Sequence, residues 1–232
     1  MCIRDRITTI TEAGAIPPLV ALLSGGPESE AAREAAAVLC NLACNDEANQ
    51  AAITEAGAIP PLVALLSGGP ESEAAGEAAA ALRNMAYSNE AHRAAIVEAG
   101  AIPPLVALLS GGPESEVAGN TAAALHNLAR NNAANRAAIT EAGAIPPLVA
   151  LLSCGPESKA AIEAAGALCN LACDDEGEAA ITEAGAIPPL VALLSGGPES
   201  EAAGKASAVL ANLACGDEGL AAIIEAGAIP PL

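Results

Sequence analysis

A chain of 232 residues with 9 Lys+Arg against 28 Asp+Glu has a formal charge of -19, and so lacks the basic face that nucleic acid or an anionic membrane requires. Apolar residues make up 53%, yet there is no Phe, no Trp and one Tyr, Tyr87, so the core must be built from Ala, Leu, Ile and Val. No apolar run reaches ~18 residues uninterrupted by Pro or charge, and no transmembrane helix is expected.

In chain order, the opening Met1–Arg6 (MCIRDR) fits nothing that follows and reads as a non-native remnant. It also has charges where a signal peptide needs an apolar stretch. The rest, 7–232, is one array. TEAGAIPPLVALLSGGPESEAA occurs unchanged from Thr11, Thr54 and Thr182, edited copies begin at Val97 and Thr140, and a sixth copy stops at Leu232. The core glycines Gly14, Gly57, Gly100, Gly143, Gly185 and Gly227 are spaced 43, 43, 43, 42 and 42 residues apart. A fixed period of this length predicts an all-α solenoid whose units bury their apolar faces against their neighbours. The units fall at about 7–44, 45–87, 88–130, 131–173 and 174–215, with 216–232 incomplete. Without polar capping repeats, the chain reads as a fragment of something longer.

Within the unit 46–87, Asp46 is placed to cap a first helix through Ala56, and Gly57 to end it. Pro60 and Pro61 fit the opening turn of a second helix, where a missing N–H costs nothing. Leu62, Val63, Leu65 and Leu66 make that helix apolar on nearly every side, which predicts burial, and Ser67-Gly68-Gly69 stops it. A third, amphipathic helix is expected from Pro70 to about Tyr87. Ala78, Ala81, Leu82, Met85 and Ala86 should face inward, with Glu73, Glu77, Ala80, Asn84 and Tyr87 on a separate stripe. The 42-residue copies lack one residue, expected in the linker that enters the first helix.

EANQAAITEAGAIPPLVALL, followed in each copy by a helix of the EAAAVLCNLA type, resembles the armadillo repeat. Glycine cap, prolines, LVALL helix and Asn-Leu-Ala or Asn-Met-Ala signature recur over nearly the whole chain. The resemblance implies a right-handed superhelix of three-helix units whose third helices line a groove for an extended peptide. It places an asparagine ladder on Asn41, Asn84, Asn127, Asn170 and Asn212. A side-chain amide offers donors and an acceptor, so it can serve a peptide's C=O and N–H together. Each bond is worth only ~0.5–1.5 kcal/mol net, and affinity must come from many copies. One helical turn before the ladder, importin-α-type proteins carry Trp, where this chain has Ala37, Ala80, Ala123, Gly166 and Ala208. A receptor that clamps lysine stems between aromatic rings is not expected.

Beside the ladder runs an acidic stripe, with Glu30, Glu34, Glu73, Glu77, Glu116 and Glu163 assigned to reading a basic, Lys/Arg-containing segment. Lys159 and Lys205 interrupt it. Both features have a purely structural alternative: the asparagines would bond the neighbouring repeat, and the first glutamate of each copy would complement a helix N-terminus. The expected function is a protein-interaction scaffold. The alternatives are the substrate-recruiting region of a larger ubiquitin ligase, or a spacer.

No enzyme, cofactor, metal or small-molecule substrate is expected. The SGGPES loop lacks the lysine of a phosphate loop, and His92 and His126 belong to different repeats. Cys40/Cys44 and Cys169/Cys173 supply two thiols per helix where zinc needs four ligands. Seven cysteines without a pairing framework suggest free thiols in a reducing compartment, the cytoplasm or the nucleus.

Overall fold

The computed structural model of the chain describes residues 14–44, 46–87, 89–113 and 115–226. The opening hexapeptide and the last residues, Ala228–Leu232, lie outside them. The described residues form an α-solenoid, and its second unit shows how each is built. The helix α3 (Glu47–Glu55) starts at Asp46, whose carboxylate accepts from the Asn49 amide at 2.9 Å. It ends in a Schellman motif: Ala58 N–H donates to the Ile53 carbonyl and Gly57 N–H to Thr54. Gly57 has φ 76°, a left-handed value that a side chain would strain.

That cap turns the chain sharply, so α3 and the following helical segment meet at 86°. The helix α4 (Ile59–Leu65) opens on its two prolines and tightens into a 3-10 turn, Leu66–Gly68. Ile59, Leu62, Leu65 and Leu66 are buried, but Pro60 and Ala64 face solvent, so α4 is covered on one side and not all round. Helix α5 (Glu73–Ala86) begins three residues later than Pro70, which sits in a turn. The cap decides the start: the Ser72 hydroxyl accepts from Ala75 N–H at 3.3 Å, and the equivalent serines do the same in the other copies.

Corresponding helices in the other copies are α1 (Ile16–Leu22), α2 (Glu30–Ala43), α6 (Glu90–Glu98), α7 (Ile102–Leu108), α8 (Glu116–Ala129), α9 (Ala133–Glu141), α10 (Ile145–Leu151), α11 (Lys159–Leu171), α12 (Asp175–Glu183), α13 (Ile187–Leu193), α14 (Glu201–Leu213) and α15 (Asp217–Glu225). The third helices α2, α5, α8, α11 and α14 stack on one another in order. Alanine lets them approach closely: Ala32, Ala36, Ala75, Ala118 and Ala161 are fully buried. In α5 the five residues expected inward are all at most 1% exposed. Each 100 Å² of apolar surface removed from water contributes about 2.5 kcal/mol, and in a solenoid most of it is removed between neighbours.

The missing residue of the later copies is not taken from the linker. Three residues separate third and first helix in both kinds of copy, and α12 and α15 keep nine residues. Instead α11 and α14 have 13 residues where α2, α5 and α8 have 14. Position 177 shows the consequence. Asn49 and Asn135 stand there in earlier copies, and their amides donate to the Leu42 and Leu128 carbonyls at 3.0 and 2.8 Å. In the shortened junctions the first helix lies so close that a Cβ on Gly177 or Gly219 would overlap the Leu171 or Leu213 carbonyl oxygen.

Candidate functional site

One face of the third-helix stack is concave. A single hollow of about 410 Å³ is lined by residues from all five copies, from Cys44 at the end of α2 to Lys205 on α14. Asn84 and Asn127 line it. Each ladder amide after the first reaches back one repeat. Nδ2 of Asn84 donates to the Cys40 carbonyl at 3.0 Å, Asn127 to Arg83 at 3.0 Å, Asn170 to His126 at 3.0 Å and Asn212 to Cys169 at 3.2 Å. In every case the acceptor stands just before the previous ladder residue, so the asparagines lie in strict register. Asn41 is exposed and makes no such bond among the described residues.

These bonds hold the stack without exhausting the amides. An amide has two N–H groups and an acceptor oxygen, so one donor and Oδ1 remain after the backward bond, except that Nδ2 of Asn84 and Asn212 also donates to Cys40 Sγ at 3.4 Å and Cys169 Sγ at 3.9 Å. At Asn127, Asn170 and Asn212 no hydrogen bond to Oδ1 occurs among the described residues. At Asn84 the oxygen is taken by Arg83, through Nε at 3.2 Å and Nη2 at 3.1 Å. The five ladder positions are therefore not equivalent.

The glutamates divide. Glu30, Glu34, Glu73 and Glu116 are exposed. Arg33 ties three of them together, bonded to Glu34, 3.4 Å from Glu73 and 3.9 Å from Glu30. Glu73, Glu77 and Glu116 line a hollow of about 560 Å³ between the first turns of α5 and α8. Burial pushes the Glu77 carboxyl above its usual range, and nearby Glu116 pushes it further the same way. Glu163 lies apart from this group. It meets His126 Nδ1 at 3.1 Å across α8 and α11. Burial alone would raise its carboxyl, but the His126 contact, helped by Lys205 and Lys159, holds it below the usual range.

The contacts between repeats include residues that the pattern analysis passed over. Arg83 Nη1 donates to Asn120 Oδ1 at 2.8 Å, joining α5 to α8 as His126 and Glu163 join α8 to α11. Both pairs span 37 residues, from the position before one ladder Asn to seven before the next. Only that cross-repeat spacing could have revealed them. Gly166 occupies the importin tryptophan position because His126 fills the space: a Cβ there would stand 2.8 Å from the imidazole. Gln50 bridges two third helices, Nε2 donating to Ala43 at 2.8 Å and Asn84 at 3.2 Å. It serves carbonyls that the helix ends leave open. Tyr87, 59% exposed, also borders the groove.

Cys40 is half-buried, and burial pushes its thiol up to about 11, which makes it a poor nucleophile or metal ligand. No disulfide joins the six described cysteines, and no group of three or more His, Cys, Asp or Glu fit to hold a metal occurs among the described residues. No single described helix is long and apolar enough to cross a membrane.

The armadillo/beta-catenin-like repeat matches residues 4–44, 45–87, 89–130 and 132–173. No curated protein sequence matches the chain. Among solved structures, the designed armadillo repeat protein YIII(Dq)4CqI superposes with TM-score 0.79 at 36% identity, covering 92% of this chain and 88% of that one. A relative of that design in complex with the peptide (KR)4 gives 0.77 at 36% identity over 92% and 88%. Computationally designed armadillo repeat proteins for modular peptide recognition give 0.81 at 36% identity over 93% and 89%. With four repeats matched in sequence and this register of stacked third helices, the chain belongs to the armadillo repeat family.

Proposed function

We propose that the groove holds an extended, Lys/Arg-containing segment of another protein in a reducing compartment, the cytoplasm or the nucleus. The observation that carries this reading is the valence left on the ladder: after bonding back, Asn127 and Asn170 each keep an N–H and a carbonyl oxygen, and Asn212 keeps its carbonyl oxygen. An extended backbone needs such a pair at regular intervals. Glu73, Glu77 and Glu116 supply negative charge beside it. A designed armadillo protein that carries (KR)4 supports the charge preference. Without aromatic clamps, affinity should lie near ~1 µM, about 8 kcal/mol. It should weaken as salt shortens the Debye length to ~8 Å.

The backward bonds also favour a second reading, in which the ladder only holds the stack and the array is a spacer. Anisotropy titration of labelled (KR)4 and a matched Gln peptide separates the two. Glu73→Lys with Glu77→Lys should abolish the preference for (KR)4, and Asn127→Ala with Asn170→Ala should weaken both peptides. Wild-type binding by both pairs of variants, with melting curves confirming the fold, would leave the spacer reading. Silence of the charge reversal alone would reduce the stripe to helix capping.

A further inference from the structure

The groove changes sign along its length. The chain has only two lysines, Lys159 and Lys205, and both line the 410 Å³ hollow together with Arg83. They stand where the repeat template has glutamate. Lys159 replaces the residue equivalent to Glu30, Glu73 and Glu116, and Lys205 the one equivalent to Glu34, Glu77 and Glu163. The two replacements fall at different positions of different repeats, yet they open on one space.

The positive charges in that space outnumber its carboxylates, Glu163 and Glu201, by three to two. Arg83 spends three of its five N–H groups on the amide oxygens of Asn84 and Asn120, which carry no charge. Among the described residues, neither lysine has a carboxylate in ion-pairing range. Of the two carboxylates in the hollow, Glu163 is bonded to His126 and feels both lysines without an ion pair to either, and Glu201 is exposed. Three cations without an ion pair among the described residues, converging in a protein of charge -19 where carboxylates are abundant, form a place for an anion.

We propose that Arg83, Lys159 and Lys205 are an anion-accepting subsite for an acidic or phosphorylated side chain of the segment held in the groove. The proposal rests on the groove reading and narrows its partner to a segment of mixed charge. Its basic part lies beside Glu73, Glu77 and Glu116 at the first turns of α5 and α8, and its anionic residue over α11 and α14, in the hollow that Arg83 also lines. With packed helices 8–10 Å apart, two repeats separate the parts by about 16–20 Å. Extended chain covers that in roughly five or six residues.

The test uses peptides with a Lys/Arg block five residues from a single Glu, Gln or phosphoserine, made in both chain directions and titrated by anisotropy at low salt. In one direction the Glu or phosphoserine peptide should bind wild type about tenfold more tightly than its Gln counterpart. Lys159→Glu with Lys205→Glu should erase that gap without weakening the Gln peptide. These side chains are exposed and half-buried, so the fold should persist, as circular dichroism can verify. A further gain from phosphoserine over Glu assigns a phosphorylated partner, and equal affinity assigns any anion. If Glu, phosphoserine and Gln peptides bind alike while binding still depends on Glu73 and Glu77, the subsite falls and the groove stands. If no peptide binds, both fall.

Discussion

The 43-residue and the 42-residue copies solve one packing problem in two ways. Where α3 and α9 meet the ends of α2 and α8, the amides of Asn49 and Asn135 fill the junction and bond to its carbonyls. Where α12 and α15 meet the ends of α11 and α14, one residue fewer draws the backbones together, and glycine leaves no side chain between them. Deletion and glycine depend on each other: either alone would leave a gap or a clash. Solenoid stacking thus tolerates a change of period provided that one position changes with it.

The strongest way to break this comparison is Gly177→Ala, whose Cβ has nowhere to go. We expect a loss on the order of 3 kcal/mol, read as earlier urea unfolding and faster hydrogen exchange in the last two copies. Inserting one Asn between Cys173 and Asp174 should recover most of it by restoring the longer junction. A variant that stays equally unstable after the insertion would show that spacing is not the cause.

The ladder gives the next largest effect. Asn127→Ala removes the bond to the Arg83 carbonyl at a nearly buried site and should cost about 1–2 kcal/mol. Asn41→Ala, at an exposed position without that bond, should stay within about 0.5 kcal/mol. Equal losses in urea melts would mean that the register of backward bonds does not stabilise the stack.

Smaller effects come from two glutamates, one on the 14-residue α5 and one on the 13-residue α11, and their signs differ. Glu163 is held below its usual range, so its ionised form stabilises the fold above the unfolded value of about 4.3. That contribution disappears as pH falls through the lower, folded value. Melting of Glu163→Gln against wild type should therefore show a deficit at pH 6 that fades in acid. Glu77 is held above its usual range, so ionisation costs stability as pH rises from the unfolded value through the folded one. Glu77→Gln should raise the melting temperature at neutral pH by at most about 2 °C, and the gain should vanish in acid. Two deficits of the same sign would refute the contrast.

Much of this was legible beforehand because it is local. The three helices per copy, the glycine that ends the first, the prolines that open the second and the inward face of the third follow from capping and periodicity at neighbouring residues. From sequence alone α5 opens three residues early, because Pro70 and Ser72 are both credible openers. Serine prevailed, since its hydroxyl satisfies the Ala75 N–H. The ladder positions are visible through family resemblance, with bonding to the neighbouring repeat as their structural alternative; which carbonyl each amide meets is not.

The sequence by itself determined the repeat, the helix content and which positions recur on one stripe, because each depends on residues a few steps apart. Tertiary structure alone decided which residues of different copies meet. Arg83 with Asn120, His126 with Glu163, and Lys159 with Lys205 in one hollow are separated by 37 to 46 residues and joined only by stacking and curvature. Groove charge is set by such meetings, since a carboxylate or ammonium acts through its neighbours in space, whatever its distance along the chain.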